Sequence, residues 1–109
     1  MSEKESLDLK SFLKQELMEE VYEVGHCGVY DLVWTLRGHE NTLTDSERVV
    51  LAKQVARETL DSGEVQIYKF RWPPREPISG PLTLDDLAEG DWLDIPESGE
   101  HPAFVAVGA

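Results

Sequence analysis

The sequence lacks several features that would assign it to a particular class of protein. It contains one cysteine, Cys27, so no disulfide can form within the chain, which favours the cytoplasm over an oxidising compartment. No apolar run approaches the roughly 20 residues that span a bilayer, and the charged start MSEKESLDLK has no apolar segment typical of a secretory signal. GxGxxG and Walker motifs are missing too. We therefore predict a cytoplasmic protein with no cofactor and no membrane partner.

Lysine and arginine are missing from the last third of the chain. Residues 76–109 carry eight carboxylates and no base, whereas residues 25–75 carry seven acids and seven bases. The formal net charge of the whole chain is −12 at pH 7. Because nucleic-acid phosphate is repelled by such a surface, the composition favours a protein partner, in particular a basic one, over nucleic acid.

Residues able to carry catalysis or bind a metal are few, and their spacing does not connect them. His26 adjoins Cys27, and neighbouring side chains seldom converge on one zinc ion. The acids of DDLAEGDWLDIPE lack the alternation, central glycine and distant glutamate of a calcium loop. We therefore predict no catalytic residue, no metal site and no enzymatic activity, with a half-buried Cys27 and exposed histidines.

Apolar spacing predicts two helices in the first part of the chain. Helix one, at about residues 6–24, begins with Ser6 as its cap and has apolar residues at four-residue spacing. The stretch GVYDLVWTLRG has the i, i+3, i+4, i+7 pattern of a short helix between Gly28 and Gly38. A strand is the alternative there, because valine, tyrosine and tryptophan favour sheets.

A third helix is marked by signals at both of its ends. Residues 44–47, Thr-Asp-Ser-Glu, match a capping box, in which the hydroxyl and the carboxylate each bind a backbone N–H. Gly63 stands where a left-handed residue ends a helix. These signals predict a helix over about residues 45–61.

Two strands are expected to follow the third helix. The stretch VQIYKFRW, residues 65–72, is rich in β-branched and aromatic residues and is followed by Pro73-Pro74, which would end a strand. AFVAV, residues 103–107, is long enough to pair with it antiparallel. Between them, residues 83–89 predict one or two capped helical turns ended by Gly90.

The apolar residues suffice for one folded domain over residues 1–109, with a hydrophobic content of 40%. The three tryptophans are expected in the core, because each ring buries a large area. The apolar faces derived from the spacing predict eight further buried residues: Leu13, Leu17, Val33, Leu36, Leu51, Val55, Leu60 and Ile67.

Three helices followed at once by a strand, an excursion and a returning strand resemble the winged helix-turn-helix. GEVQIYKFRW is also similar to a recurring element of small uncharacterised bacterial proteins. The resemblance implies an α+β fold: a three-helix winged-helix-like domain whose two-stranded antiparallel wing carries a long acidic excursion. In winged-helix proteins helix three usually enters the major groove of DNA and the wing contacts the backbone.

Six residues are candidate contacts for nucleic acid or another partner if the resemblance extends to function. They lie on helix three, on the strand after it and just beyond that strand: Lys53, Gln54, Arg57, Lys69, Arg71 and Arg75. Against DNA binding, helix three has a net negative charge and the wing is the most acidic segment.

We therefore predict a non-enzymatic protein-interaction module, an accessory factor or an inhibitor with an acidic surface. The alternative is a DNA-binding regulator that uses residues 45–61. A homodimer is one of the oligomeric states that the sequence leaves open.

Overall fold

The structure, a computed structural model, describes residues 3–39, 42–72 and 76–107. Within these residues the fold is α+β, with three helices and a four-stranded antiparallel sheet. Its elements in chain order are α1 (Glu3–Val24), β1 (Cys27–Gly28), α2 (Val29–His39), α3 (Asp45–Asp61), β2 (Val65–Arg71), β3 (Pro77–Leu82) and β4 (Glu100–Ala106). Two short 3-10 turns, Leu84–Asp86 and Glu89–Trp92, separate β3 from β4.

The third helix begins at its predicted capping box. The Thr44 hydroxyl accepts a hydrogen bond from the Glu47 N–H at 3.1 Å, and the Glu47 carboxylate accepts one from the Thr44 N–H at 2.9 Å. Gly63 ends the helix with a positive φ of 79°, a conformation in which glycine has no steric penalty. The predicted bounds of α3 are confirmed, because both end signals are local to the chain.

The first two helices are also present where the apolar spacing predicts them. The stretch from Val29 is helical, which settles the choice between helix and strand. Helix α1 begins at Glu3, which is earlier than the start predicted at Ser6. None of the described helices is long and apolar enough to cross a membrane.

The sheet has two strands more than the predicted pair. Its order is β1-β4-β2-β3, and the predicted antiparallel pairing of β2 with β4 is confirmed, with Ile67 opposite Phe104. Strand β3 contains Pro77, Gly80 and Pro81, which usually disfavour a strand, but it lies at the sheet edge, where proline is tolerated. The predicted strand end at Pro73-Pro74 lies outside the described residues.

The excursion between β3 and β4 folds back onto the core. Helical turns are present where they were predicted, but both are 3-10 turns, and Gly90 lies inside the second one and does not end it. Trp92, at the end of that turn, is 1% exposed, so the prediction that it lies in the core is confirmed. The acidic segment is thus held to the domain by a tryptophan in the hydrophobic core.

The core lies between the helices and one face of the sheet. Of the eight residues predicted to be buried, seven are buried. The eighth, Leu60, is partly buried and packs against the core cluster. The prediction for two tryptophans is wrong, since Trp34 is 44% exposed and Trp72 is 59% exposed. Trp34 lies on the outer side of α2, and Trp72 follows the last residue of β2, so neither points into the apolar cluster.

Candidate functional site

A cleft of about 250 Å³ opens where the second half of α1, strand β1, the start of α2 and strand β4 meet. Six of its lining side chains are acidic or aromatic, with imidazoles counted among the aromatic rings: Glu20, His26, Tyr30, Asp31, Trp72 and His101. They come from four separate parts of the chain, so only the tertiary fold brings them together. We call this group of residues the acidic cleft.

Two carboxylates of the acidic cleft are poorly neutralised. Asp31, in the first turn of α2, accepts a hydrogen bond from the Gly28 N–H to its Oδ2 atom at 3.0 Å. Burial nevertheless raises the pKa of Asp31, outweighing this hydrogen bond. Burial also raises the pKa of Glu20, and the negative charge of Asp31 adds to that effect. The two carboxylates therefore give the cleft a negative potential.

His101 forms part of the wall and offers a hydrogen-bond acceptor. Its side chain is 2% exposed, and its Nδ1 atom lies 2.9 Å from the carbonyl oxygen of Gly99. A carbonyl can only accept, so Nδ1 carries the proton and donates. In the neutral ring Nε2 is then an acceptor, and it has no hydrogen-bond partner among the described residues.

Aromatic rings continue from the cleft onto the neighbouring surface. Tyr30 packs edge-on against Trp34, with ring centroids 4.9 Å apart, and lies 5.7 Å from the ring of His101. The ring of Trp72 lies 6.5 Å from that of His101 on another side. The exposed ring of Trp72 thus lines the cleft, that of Trp34 lies next to Tyr30 of the cleft, and a bound group could contact these rings.

Gly28 allows Tyr30 to approach the backbone of β1. A Cβ atom at Gly28 would lie 2.4 Å from the Cε1 atom of Tyr30, far inside van der Waals contact. Because Gly28 has no side chain, the ring of Tyr30 can lie against strand β1 and line the cleft there.

The cleft is not arranged for nucleophilic or metal chemistry. Cys27 is 3% exposed, and burial raises the pKa of its thiol, so the reactive thiolate is disfavoured at neutral pH. Burial likewise raises the pKa of Tyr30 to about 12. Across residues 3–39, 42–72 and 76–107, no group of three His, Cys, Asp or Glu side chains is placed to hold a metal ion. What the cleft presents is hydrogen-bond acceptors and aromatic faces.

Comparisons of the chain with protein-family models, with curated proteins and with solved structures find no match.

The residues predicted as partner contacts lie elsewhere and are not gathered into one surface hollow. Lys53, Gln54 and Arg57 are exposed on α3. Arg57 lines a hollow of about 330 Å³ together with the carboxylates of Asp61 and Asp85.

The predicted contacts on the sheet are surrounded by acids. Lys69 is half-buried in a separate hollow of about 210 Å³ that Asp86, Asp91 and Glu100 also line. Arg71 forms an ion pair with Glu100 at 3.1 Å. Arg75 lies outside the described residues.

Sequence reasoning missed most of the acidic cleft. The expectation of exposed histidines is wrong for His101, because strand β4 begins at Glu100, earlier than predicted, and includes it. One local signal was present: GHCGVYD, residues 25–31, holds a histidine, a tyrosine and an aspartate around a glycine within seven residues. The contributions of Glu20, Trp72 and His101 depend on long-range packing, for which the sequence has no local signal.

Proposed function

We propose that this protein is a non-enzymatic interaction module of the cytoplasm, an accessory factor or inhibitor that binds a basic protein partner. The observation that carries the proposal is a pair of exposed tryptophans at the acidic cleft: Trp72 lines it, and Trp34 packs against Tyr30, which also lines it. Tryptophan is enriched among the residues that dominate binding energy at protein interfaces. Carboxylates beside such anchors favour a partner of opposite charge and speed its approach.

The ion pairs of the domain support the same conclusion. Arg37 and Arg48 both contact the carboxylate of Asp45 at 2.8 Å, and Lys10 lies 3.8 Å from that of Glu58. These bases are largely neutralised within the protein, whereas the acids of residues 76–109 have no base in their own segment. The net negative charge is therefore available to a partner.

We also propose that the fold is a variant of the winged helix, with β2 and β4 as the wing and β1 and β3 added at the two edges of the sheet. The competing function is a DNA-binding regulator that uses α3. The exposure of Lys53, Gln54 and Arg57 favours it, and the four carboxylates of α3 oppose it.

Binding of a defined basic peptide, compared with binding of duplex DNA, tests the proposal. A fluorescent peptide of alternating arginine and serine residues should bind the protein at physiological salt, and more weakly as salt rises. Trp34→Ala and Trp72→Ala should each weaken binding by about tenfold, the effect of losing an interface anchor. Val50→Ala is the matched control, because Val50 is 54% exposed but lies on α3.

Labelled duplexes from a genomic library form the second arm of the test. We expect no complex tighter than about 10 μM at physiological salt, which is weaker than specific DNA binding. A saturable, sequence-selective complex that Lys53→Glu and Arg57→Glu abolish would favour the regulator and overturn the interaction module. The proposal would also be contradicted if neither Trp34→Ala nor Trp72→Ala weakened binding of the peptide.

A further inference from the structure

We infer that the acidic cleft is a guanidinium site, which receives an arginine side chain of the partner between the ring of Trp72 and the carboxylates of Glu20 and Asp31. This inference rests on the proposed function and names the chemical group that the partner must present. Hydrogen-bond acceptors, aromatic faces and size each support it independently.

The carboxylate oxygens of the cleft are suited to a ligand that donates hydrogen bonds and carries positive charge. Asp31 uses Oδ2 for the Gly28 N–H, and its Oδ1 has no hydrogen-bond partner among the described residues. The carboxylate of Glu20 is a second acceptor, and the buried imidazole of His101 also lines the cleft. No lysine or arginine among the described residues lines the cleft. A guanidinium group has five N–H donors and no acceptor, so it complements such a site.

The aromatic walls favour arginine over lysine. Trp72 is 59% exposed at the mouth of the cleft, and Tyr30 lines its other side. A planar guanidinium stacks on such rings while it donates two parallel hydrogen bonds to one carboxylate. An ammonium group is more strongly hydrated and cannot make the planar, two-pronged contact. Arginine should therefore bind more tightly than lysine.

The size of the cleft fits one side chain. Its volume of about 250 Å³ lies below the ~300–1,000 Å³ of clefts that enclose whole drug-sized ligands. An extended arginine can enter while the peptide backbone stays outside, near Trp72. Arginine is one of the side chains that most often fill such a pocket at a protein interface.

The negative charges of the Glu20 and Asp31 carboxylates are not fully compensated within the cleft. Burial raises the pKa of both Glu20 and Asp31, which means that nothing nearby fully compensates their ionised forms. A cation between them would offset this cost and lower both pKa values again. A metal ion is a poorer occupant, because the described residues offer no three-ligand group.

Three capped tripeptides, Ala-Arg-Ala, Ala-Lys-Ala and Ala-citrulline-Ala, test the inference by NMR titration of the isotope-labelled protein. Citrulline has nearly the shape of arginine without its charge. We expect saturable shifts of the Gly28 amide and the Trp72 indole with the arginine peptide, weaker shifts with lysine and none with citrulline. Asp31→Asn should lower the arginine affinity about tenfold, as loss of a charge-assisted contact does. Trp72→Ala should lower it by a similar factor, because the guanidinium loses the ring on which it stacks. Asp61→Asn, on α3, is the matched control and should leave the affinity unchanged.

Glu20→Gln serves as a second charge-removing variant if Asp31→Asn disturbs folding, which a thermal melt of each variant detects. The guanidinium site would be overturned by any of three results: equal shifts with the arginine and citrulline peptides, shifts that do not include Gly28 and Trp72, or no shifts at all. If the basic peptide still binds through Trp34 in that case, the interaction module stands without this site. If the arginine tripeptide occupies the cleft but no basic peptide or protein binds, the guanidinium site stands and the proposed function fails.

Discussion

The indole Nε1 of Trp34 donates a hydrogen bond of 2.9 Å to the carbonyl oxygen of Leu93, 59 residues further along the chain. This bond joins the outer side of α2 to the residue that follows the second 3-10 turn. The same tryptophan packs against Tyr30 of the acidic cleft. One side chain thus connects the acidic excursion to the wall of the candidate site.

Replacing Trp34 with phenylalanine removes this hydrogen bond but keeps an aromatic ring. We expect the free energy of unfolding to fall by about 0.5–1.5 kcal/mol, the usual net value of one hydrogen bond. Backbone amides of residues 89–93 should exchange faster with deuterium. Trp72→Phe is the control, because the Trp72 indole has no hydrogen-bond partner among the described residues. Equal effects of the two variants would mean that the Leu93 contact does not hold the excursion.

Gly28→Ala should disturb the acidic cleft. The new methyl group would lie 2.4 Å from the Tyr30 ring, so the ring must move, and overpacking of this kind costs about 1–3 kcal/mol. The matched control is Gly38→Ala in α2, where a Cβ atom meets nothing within 4 Å. That change should stabilise the protein by up to about 1 kcal/mol, because alanine favours a helix over glycine. Urea unfolding of both variants measures the contrast.

Leu51→Ala tests the assigned core face of α3. Leu51 is 2% exposed, and truncating a buried leucine costs about 2–5 kcal/mol. Its neighbour Val50 is 54% exposed, so Val50→Ala should change the free energy of unfolding by less than about 0.5 kcal/mol. A similar loss at the two positions would contradict the orientation of this helix.

Asp45 should make the stability of the protein depend on pH in the acid range. Hydrogen bonds from Arg37 and Arg48 lower its pKa from 3.8 to about 2. A carboxyl group whose pKa is lower in the folded state contributes stability above its unfolded pKa, and this contribution disappears as the pH falls through the folded value. The difference in unfolding free energy between the wild type and Asp45→Asn should therefore shrink from pH 4 down to about pH 2. Asp61→Asn, a carboxyl group without an ion pair to a described residue, provides the baseline. A difference that stays constant over this range would show that the ion pairs do not stabilise the fold.

Local chemistry by itself determined the helices and the central strand pair. The capping box at Thr44 and the glycine at position 63 satisfy backbone groups within a few residues, so the bounds of α3 follow directly from the sequence. The aromatic and β-branched residues of β2 likewise mark a strand, and a second, shorter apolar run at residues 103–107 was long enough to pair with it.

Only the tertiary structure decided the edge strands and the acidic cleft. Strand β3 contains two prolines and a glycine, so its pairing depends on an open sheet edge and not on its own propensity. The cleft joins Glu20 of α1 to Asp31 of α2 and to His101 of β4, residues that approach one another only after the helices pack on the sheet. Burial in that packed state raises the pKa of Asp31. The pKa of Glu20, an exposed residue, is raised by partial desolvation and by the charge of Asp31, which lies near it only in the assembled fold.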